Sequence, residues 1–483
     1  MTIALQPHLD HAAPEQRIAR EWLALALGVL ICAGLFALAV VIGRMPPFDR
    51  YVTDPLFFKR CLVAHVNLAL VAWFYSFVAA LLFLLPSRRR SGPLARHSAH
   101  IAALGVLLLL LGAATPAGRP MLSNYIPTIG NRLFQLGQLV FALGILAGIL
   151  DRRLLPGGEP PEAATILPGA SRAGLRAIAV ALLLAAATFL LSGLARDSGL
   201  PADVRHDFLV WGGGHVLQLV STMAMVTVWM LLLTPVLGAP PVSRPAAAAL
   251  FVAMLLPWTS APLFALQGTG SLAYRHGFTE LMRWCLFPVI SLFLVMCVRA
   301  VARAWRAGRI GAATLRDPRL SAFLVSGALT LLGFGLGAAI RGSNTMVPAH
   351  YHAAVGAVTV AFMAATFVLL PVFGVAIPTG WPSRAAAGVS ALYGLGMLIF
   401  AGGFAIAGAH GMGRKMYGAE QAVRGLAETI GLGLMGIGGF VAIAGGILFL
   451  VVVSVSWWRA VRPNRLSAPV ATGTSWRLPY EAR

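Results

Sequence analysis

Charged side chains are scarce in this sequence. Of its 483 residues, 11% are charged and 58% are hydrophobic, and the mean hydropathy is +0.81. Soluble globular domains carry about twice that share of charge, so the composition excludes a soluble globular protein. Acidic residues are scarcer than basic ones, with 16 aspartates and glutamates against 37 lysines and arginines.

Cysteine is equally sparse. The four cysteines, Cys32, Cys61, Cys285 and Cys297, show no paired spacing, and no C-x-x-C-H stretch occurs. This excludes a c-type haem attached covalently to this chain. No internal repeat is visible, and no segment between the apolar runs is long enough to form a soluble domain.

Long apolar runs are abundant, and most of the twelve match the roughly 20 residues that a helix needs to cross a bilayer. They predict an all-α polytopic membrane protein in three parts: an N-terminal tail over 1–20, one twelve-helix membrane domain over 21–458 and a C-terminal tail over 459–483. The predicted spans are 21–43, 57–85, 98–116, 126–150, 173–195, 207–237, 245–268, 279–301, 320–341, 345–375, 385–408 and 423–457.

The net charge of +21 is distributed unevenly along the chain. Basic residues gather in alternate short loops, such as "SRRRSGPLARH" after the second span and "RAVARAWRAGR" after the eighth. By the positive-inside rule, these loops and both tails are cytoplasmic, which predicts a multi-pass protein in the lipid of a bacterial-type inner (cell) membrane. No basic patch with base-reading or stacking groups is visible, so we expect no nucleic-acid partner.

The histidines suggest a cofactor. Two of them, His350 and His352, open the tenth span in "VPAHYHAAVGAV", and on a helix they point about 200° apart. One metal ion cannot easily bind both, whereas two haems, each taking one axial imidazole on a face, can bind on the two flanks. Seven histidines are expected in the outer half of the membrane or in outer loops: His65, His206, His215, His276, His350, His352 and His410.

Four stretches resemble the large subunit of the haem–copper respiratory reductases, which include cytochrome c oxidase subunit I and the large subunit of nitric-oxide reductase. The stretch "LVAHVNLALVAWFYSFVAALLFLLP" is similar to the second helix of that family, "LVWGGGHVLQLV" to the sixth and "VPAHYHAAVGAV" to the tenth. The stretch "GAHGMGRKMYG" resembles the segment that meets the haem propionates. The resemblance covers most of the chain and implies a twelve-helix fold like that of subunit I.

The resemblance also implies which residues bind two haems. His65 and His352 would be the axial ligands of a low-spin haem, and His350 would hold a high-spin haem from one side. Arg414 and Lys415 would pair with propionates through charge-assisted hydrogen bonds.

The chain departs from the family at the non-haem metal, which normally has three histidine ligands. His215 would be the first ligand, but the adjacent histidine pair that ends the seventh helix is replaced by "SL" at 271–272. His276 is the nearest histidine and would be the second ligand. A copper or iron site needs three or more ligands, so either His276 folds back, with His206 or His410 completing the set, or the metal is weak or missing.

Three functions follow from these patterns. The first is a respiratory reductase that passes electrons through the low-spin haem to a high-spin haem where O2 is reduced, with His215 and His350 as catalytic residues. The second is reduction of NO, favoured by "GTG" at 268–270 and by Leu219 in place of a redox tyrosine. The third is a non-catalytic di-haem protein that transfers electrons or senses a gas.

The electron donor of such an enzyme would be a small c-type cytochrome or copper-protein subunit, or quinol. No acid lies in "PSRRRSGPLARH", the loop between the second and third spans. We therefore predict that the chain does not pump protons through an aspartate-gated path.

Overall fold

The chain folds into a bundle of long helices. The computed structural model describes residues 14–51, 54–87, 89–151, 166–421 and 425–461. Twelve helices in this part of the chain are long and apolar enough to cross a membrane, so the all-α polytopic prediction is confirmed. In chain order, α1 to α12 are Pro14–Ile42, Pro55–Phe83, Pro93–Ala114, Arg132–Ile149, Gly169–Leu194, Ala202–Leu237, Arg244–Leu266, Leu272–Arg306, Pro318–Ala338, Met346–Phe373, Trp381–Ala409 and Leu426–Val461.

The predicted tails lie mostly in residues 1–13 and 462–483, which are outside the described residues. Helix α1 nevertheless begins at Pro14, inside the predicted N-terminal tail. Its first turns carry a pair between Arg17 and Glu21, whose Nε and Oε1 atoms lie 3.3 Å apart. Ion pairs between residues i and i+4 stabilise a helix on its exposed side. A prediction from apolar runs does not include such pairs, so it places the start of the helix too late.

Helix α4 begins at Arg132, whereas the apolar run predicts a start at 126. The carboxamide oxygen of Asn131 accepts the backbone N–H of Phe134 at 2.8 Å and caps the helix there. Just before this cap, strand β2 (Thr128–Ile129) pairs antiparallel with strand β1 (Pro120–Met121). The segment between α3 and α4 is therefore a folded loop, and it contacts α2 and α6.

Helix α8 begins earlier than predicted, at Leu272. Ser271 is its N-cap, because its hydroxyl oxygen accepts the backbone N–H of Tyr274 at 3.1 Å. His276 consequently lies in the first turns of α8, and the expected connection around it is helical.

The three helices that carry His65 (α2), His215 (α6) and the pair His350 and His352 (α10) are also the most buried. In the most apolar stretch of each helix, 78% of α2, 83% of α6 and 89% of α10 is buried, against 50% or less for every other helix of the described chain. Small residues let the outer helices pack closely around them. A Cβ at Gly403 of α11, for example, would lie 2.3 Å from the backbone nitrogen of Met435 in α12.

Loops that join odd-numbered to even-numbered helices meet at one end of the bundle, which we call the histidine end. Thr345, before α10, donates its N–H to the carbonyl of Met412, between α11 and α12, at 2.9 Å. Thr269, between α7 and α8, donates its N–H to the carbonyl of Ala195, between α5 and α6, at 3.3 Å. These hydrogen bonds join neighbouring loops at the histidine end.

Candidate cofactor cavity

A cavity of about 340 Å³ lies between α1, α2, α10, α11 and α12. Its size falls in the range of roughly 300–1,000 Å³ that is typical of cofactor sites. His65 of α2 and His352 of α10 both line it, and most of its other lining residues are apolar. The cavity therefore brings together the two histidines that the resemblance assigns to one haem.

A backbone carbonyl of a neighbouring helix orients His65. Its Nδ1 lies 3.0 Å from the carbonyl oxygen of Ala33 in α1. A carbonyl oxygen can only accept, so Nδ1 carries the proton and Nε2 keeps its lone pair. Two residues further on, α2 passes through a π-helical segment, Asn67–Ala72. Such segments are frequent at functional sites, because the extra residue in the turn shifts which side chains face inward.

His352 is held in the same tautomer. Its Nδ1 lies 2.7 Å from the carbonyl oxygen of Pro348, one turn earlier in α10. The rings of Phe400 and Phe404 in α11 pack against the imidazole, with centroids 4.7 and 5.8 Å away. An Nδ1–H held by a backbone carbonyl is the arrangement usual for a metal-binding histidine, because it fixes the ring and strengthens Nε2 as a ligand.

Glycines make room along the cavity wall. Gly34 of α1 and Gly446 of α12 both line the cavity. A Cβ added at either position would meet no atom of the described residues within 4 Å. These two glycines therefore leave space beside the histidines that any larger residue would fill.

Arg44, just after α1, forms the polar end of the cavity and is only 4% exposed. Its guanidinium donates to the carbonyl of Gly413 at 2.9 Å, to the carbonyl of Arg414 at 3.2 Å and to Oε1 of Gln421 at 3.3 Å. It also lies 4.9 Å from the ring centroid of Tyr417. Among the described residues, no carboxylate forms an ion pair with Arg44. A buried cation without an acidic partner suits an anionic group in the cavity.

The two basic residues predicted to meet propionates have different surroundings. The backbone carbonyl of Arg414 accepts a hydrogen bond from Arg44. The Nε of Arg414 is buried and has no hydrogen-bond partner among the described residues. Lys415 is exposed, and its Nζ lies 3.4 Å from the carbonyl of Leu122 in the α3–α4 loop. Arg414 thus lies beside the polar end of the cavity, whereas Lys415 contacts the neighbouring loop.

The residues around this cavity fit a haem. Two imidazoles, whose Nε2 atoms have no hydrogen-bond partner among the described residues, line an apolar space with glycine-widened walls, and one end carries a buried guanidinium. These features match the axial ligands, the apolar faces and the carboxylate edge of a haem.

His350 faces a different neighbour from His352. Its Nδ1 lies 2.6 Å from the carbonyl oxygen of Gly333 in α9, which again leaves Nε2 with its lone pair. A Cβ at Gly337, one turn further along α9, would lie 2.8 Å from that Nδ1. The two histidines of α10 therefore pack toward α9 and α11, as their helical spacing predicts.

His215 of α6 is buried among aromatic rings and has both ring nitrogens engaged. Its Nδ1 lies 2.7 Å from the carbonyl oxygen of Trp211, and its Nε2 lies 2.8 Å from the hydroxyl of Tyr125 in the α3–α4 loop. The ring of Phe278 in α8 lies 5.5 Å from the imidazole, centroid to centroid. The nitrogen that would bind a non-haem metal is therefore the one that meets Tyr125.

The other three histidines that could complete the non-haem metal site do not form a ligand group with His215 in the described part of the chain. His276 is exposed on α8, and His410 is exposed at the end of α11. His206 meets the carbonyl of Ile126 through Nε2 at 2.8 Å. Within the described ranges, no three histidine, cysteine, aspartate or glutamate side chains form a group that could hold a metal ion. The residues present do not fit a three-ligand copper or iron site, and the folding back of His276 is not observed.

Two residues of the site, Arg44 and Tyr125, are not predicted from the sequence. Arg44 is a lone arginine after the first apolar run, and nothing in its local pattern ties it to a loop more than 360 residues away. Tyr125 lies in the stretch "SNYIPTIGN", and the predicted fourth span begins directly after this residue, at 126. The stretch "GGG" at 212–214 is a signal for the contact of Tyr125 with His215, since small residues in a membrane helix allow neighbours to approach closely.

Comparison with solved structures supports the architecture. A chain from a haem–copper terminal oxidase dimer, determined by cryo-electron microscopy, superposes with a TM-score of 0.72. The match covers 97% of this chain and 87% of that chain, at 13% sequence identity. The chain has the fold of a haem–copper terminal oxidase. We refer to this architecture below as the oxidase fold.

Sequence comparison finds two relatives among curated proteins. An uncharacterised protein of Aquifex aeolicus (strain VF5) is 27% identical over 360 residues, which cover 73% of this chain and 84% of that protein. An uncharacterised protein of Rickettsia prowazekii (strain Madrid E) is 21% identical over 414 residues, covering 74% of this chain and 78% of that protein. No protein-family model matches the chain.

Proposed function

We propose that this chain is a haem-carrying subunit of a membrane oxidoreductase, with a low-spin haem bound between His65 and His352. The observation that carries the proposal is the shared cavity, where both imidazoles have Nδ1 bonded to a backbone carbonyl. Two imidazole ligands on opposite faces of a haem suit electron transfer. The oxidase fold supports the same role.

A bound haem supplies the one-electron chemistry, and the chain supplies the rest. The hydrogen bonds from Nδ1 to Ala33 and Pro348 fix both imidazole planes before the cofactor binds. Apolar walls keep water away from the ring faces. Arg44 and Arg414 would neutralise carboxylates at the polar end, where an uncompensated negative charge would be costly to bury.

The test is spectroscopic. The purified full-length chain should show a Soret band, α and β bands on reduction, and the electron paramagnetic resonance of a ferric haem with two imidazole ligands. His65→Ala and His352→Ala should each abolish that signal. His410→Ala is the matched control, because His410 also has Nδ1 near a backbone carbonyl, that of Ile406 at 2.9 Å, but is exposed. A colourless wild-type chain, or His65 and His352 variants with unchanged spectra, would refute the proposal.

Reduction of O2 at a second haem on His350 is the further candidate activity. The contact of His350 with Gly333 favours it, since this contact prepares Nε2 as a ligand on the other flank of α10. A CO-difference spectrum that disappears in His350→Ala, while the low-spin signal stays, is the expected result. Parallel electrode measurements with O2 and with NO then decide between oxidase and nitric-oxide reductase activity.

The positive-inside rule and the haem ligands together lead to a proposed membrane topology and electron donor. The chain would lie in a bacterial-type inner membrane with both termini in the cytoplasm, so that the histidine end faces outward. Electrons would come from a small c-type cytochrome or copper-protein subunit, or from quinol. Purification with and without an added c-type cytochrome, followed by measurement of haem reduction, tests the donor.

A further inference from the structure

The contact between Tyr125 and His215 has a defined direction. The carbonyl of Trp211, 2.7 Å from Nδ1, can only accept a hydrogen bond, so Nδ1 carries the imidazole proton. Nε2 of the neutral ring must then accept, and the hydroxyl of Tyr125, 2.8 Å away, donates to it. The phenol thus uses the lone pair that a metal ion would need.

The helix around His215 is shaped for this partner. A Cβ at Gly214 would lie 2.4 Å from Cβ and Cγ of Tyr125. A Cβ at Gly213 would lie 2.5 Å from the ring of Phe189. Any side chain at position 214 would therefore displace the tyrosine, so the glycine and the tyrosine fit each other.

The segment 124–128, which carries Tyr125, is pinned on both sides of that residue. The N–H of Asn124 meets Oδ1 of Asp207 at 3.3 Å, and the carbonyl of Ile126 meets Nε2 of His206 at 2.8 Å. The carbonyl of Pro127 accepts from Nδ2 of Asn67 at 2.7 Å and from Nε2 of Gln138 at 3.0 Å. Helices α2, α4 and α6 thus hold the segment together.

We infer that Tyr125 takes the position beside His215 that the resemblance gives to copper or non-haem iron, so that the chain builds a tyrosine–histidine pair there in place of a second metal. Binding a metal at His215 would require breaking the Tyr125 contact, either by rotating the phenol away from Nε2 or by moving segment 124–128 off its three helices. This inference goes beyond the proposed function, which needs no metal at His215.

Metal content is the first test. The purified full-length chain is incubated with copper(I) or iron(II) under reducing conditions, desalted, and analysed for copper, iron and haem. Copper, and iron in excess of haem, should stay far below one per chain before and after the incubation. About one such metal per chain that is lost in His215→Ala and kept in His410→Ala would overturn the inference.

A double-mutant cycle tests the pair itself. Tyr125→Phe removes only the hydroxyl, so its melting temperature should fall by several degrees in the native background and by clearly less in a His215→Leu background, where the acceptor is already gone. Tyr51→Phe, at a position that is 81% exposed, should cause no shift in either background. Equal shifts for Tyr125→Phe in the two backgrounds would overturn the inference.

These results are separable from the proposed function. The Soret band depends on His65 and His352, which lie in the cavity, whereas the metal ratio and the cycle depend on Tyr125 and His215. A chain with normal haem spectra and one extra metal would refute only the tyrosine–histidine pair. A colourless chain with a coupled pair would refute only the haem assignment.

Discussion

A larger side chain on the wall that α1 gives to the cavity should weaken binding of the cofactor. Gly34→Leu adds a side chain of on the order of 100 Å³ to a cavity of about 340 Å³, so roughly a third of the space disappears. Forcing that volume against a bound cofactor costs about 1–3 kcal/mol, as overpacking does elsewhere. The dissociation constant for haem should therefore rise by roughly 5-fold to 150-fold.

Gly28→Leu is the matched control for this experiment. Gly28 lies in the same helix, is exposed, and a Cβ there would also meet no atom within 4 Å, but it does not line the cavity. Both substitutions gain about the same helix propensity, close to 1 kcal/mol, from replacing a helical glycine. Any difference between them therefore reports the cavity.

The assay is titration of the haem-free chain with haemin in detergent, followed at the Soret band, with thermal unfolding of the haem-free chain in parallel. Gly34→Leu should bind haem more weakly than Gly28→Leu. Both haem-free variants should melt at or above the native temperature, because a Cβ at either position meets no atom of the described residues within 4 Å and leucine has the higher helix propensity. Equal haem affinity for the two variants would refute the placement of the cofactor against α1.

Three further predictions concern polar groups at the histidine end. Arg44→Met should weaken binding of haem about tenfold or more but leave binding of haem dimethyl ester unchanged, because only free carboxylates use the guanidinium; equal effects in the two titrations would contradict this. Arg60 donates hydrogen bonds to the carbonyls of residues 115–118. Arg60→Met should therefore lower the free energy of unfolding by about 1–3 kcal/mol and speed proteolysis of that loop. The control Lys59→Met, which loses only a surface ion pair with Glu420, should lower it by less than about 1 kcal/mol. Burial raises the pKa of the Tyr417 hydroxyl, so the folded state favours its protonated form. The stability that this contributes is present below about pH 10 and is lost as the pH rises through the raised pKa. The melting temperature of Tyr417→Phe should therefore fall less steeply with pH in this range than that of the native chain.

Part of this molecule can be predicted from local patterns. The length and apolarity of the runs predict twelve membrane-spanning helices, because a single segment in lipid can satisfy its own backbone hydrogen bonds only as a helix. The opposite directions of His350 and His352 follow from 3.6 residues per turn. Helix starts are less predictable: Asn131 and Ser271 set them through capping hydrogen bonds, which an average over apolar residues does not detect.

The pairing of side chains from distant segments is decided only by the tertiary structure. His65 and His352 share a cavity because α2 and α10 pack in the centre of the bundle. The family resemblance implies the same pairing. Arg44 reaches the carbonyls of 413–414, and Tyr125 reaches His215, only after α1 packs on α12 and the α3–α4 loop folds onto α6. Helical periodicity gives each side chain a direction on its own helix, whereas its partner depends on how helices and loops pack, and this is why the polar end of the cavity and the tyrosine beside His215 could not be read from the sequence.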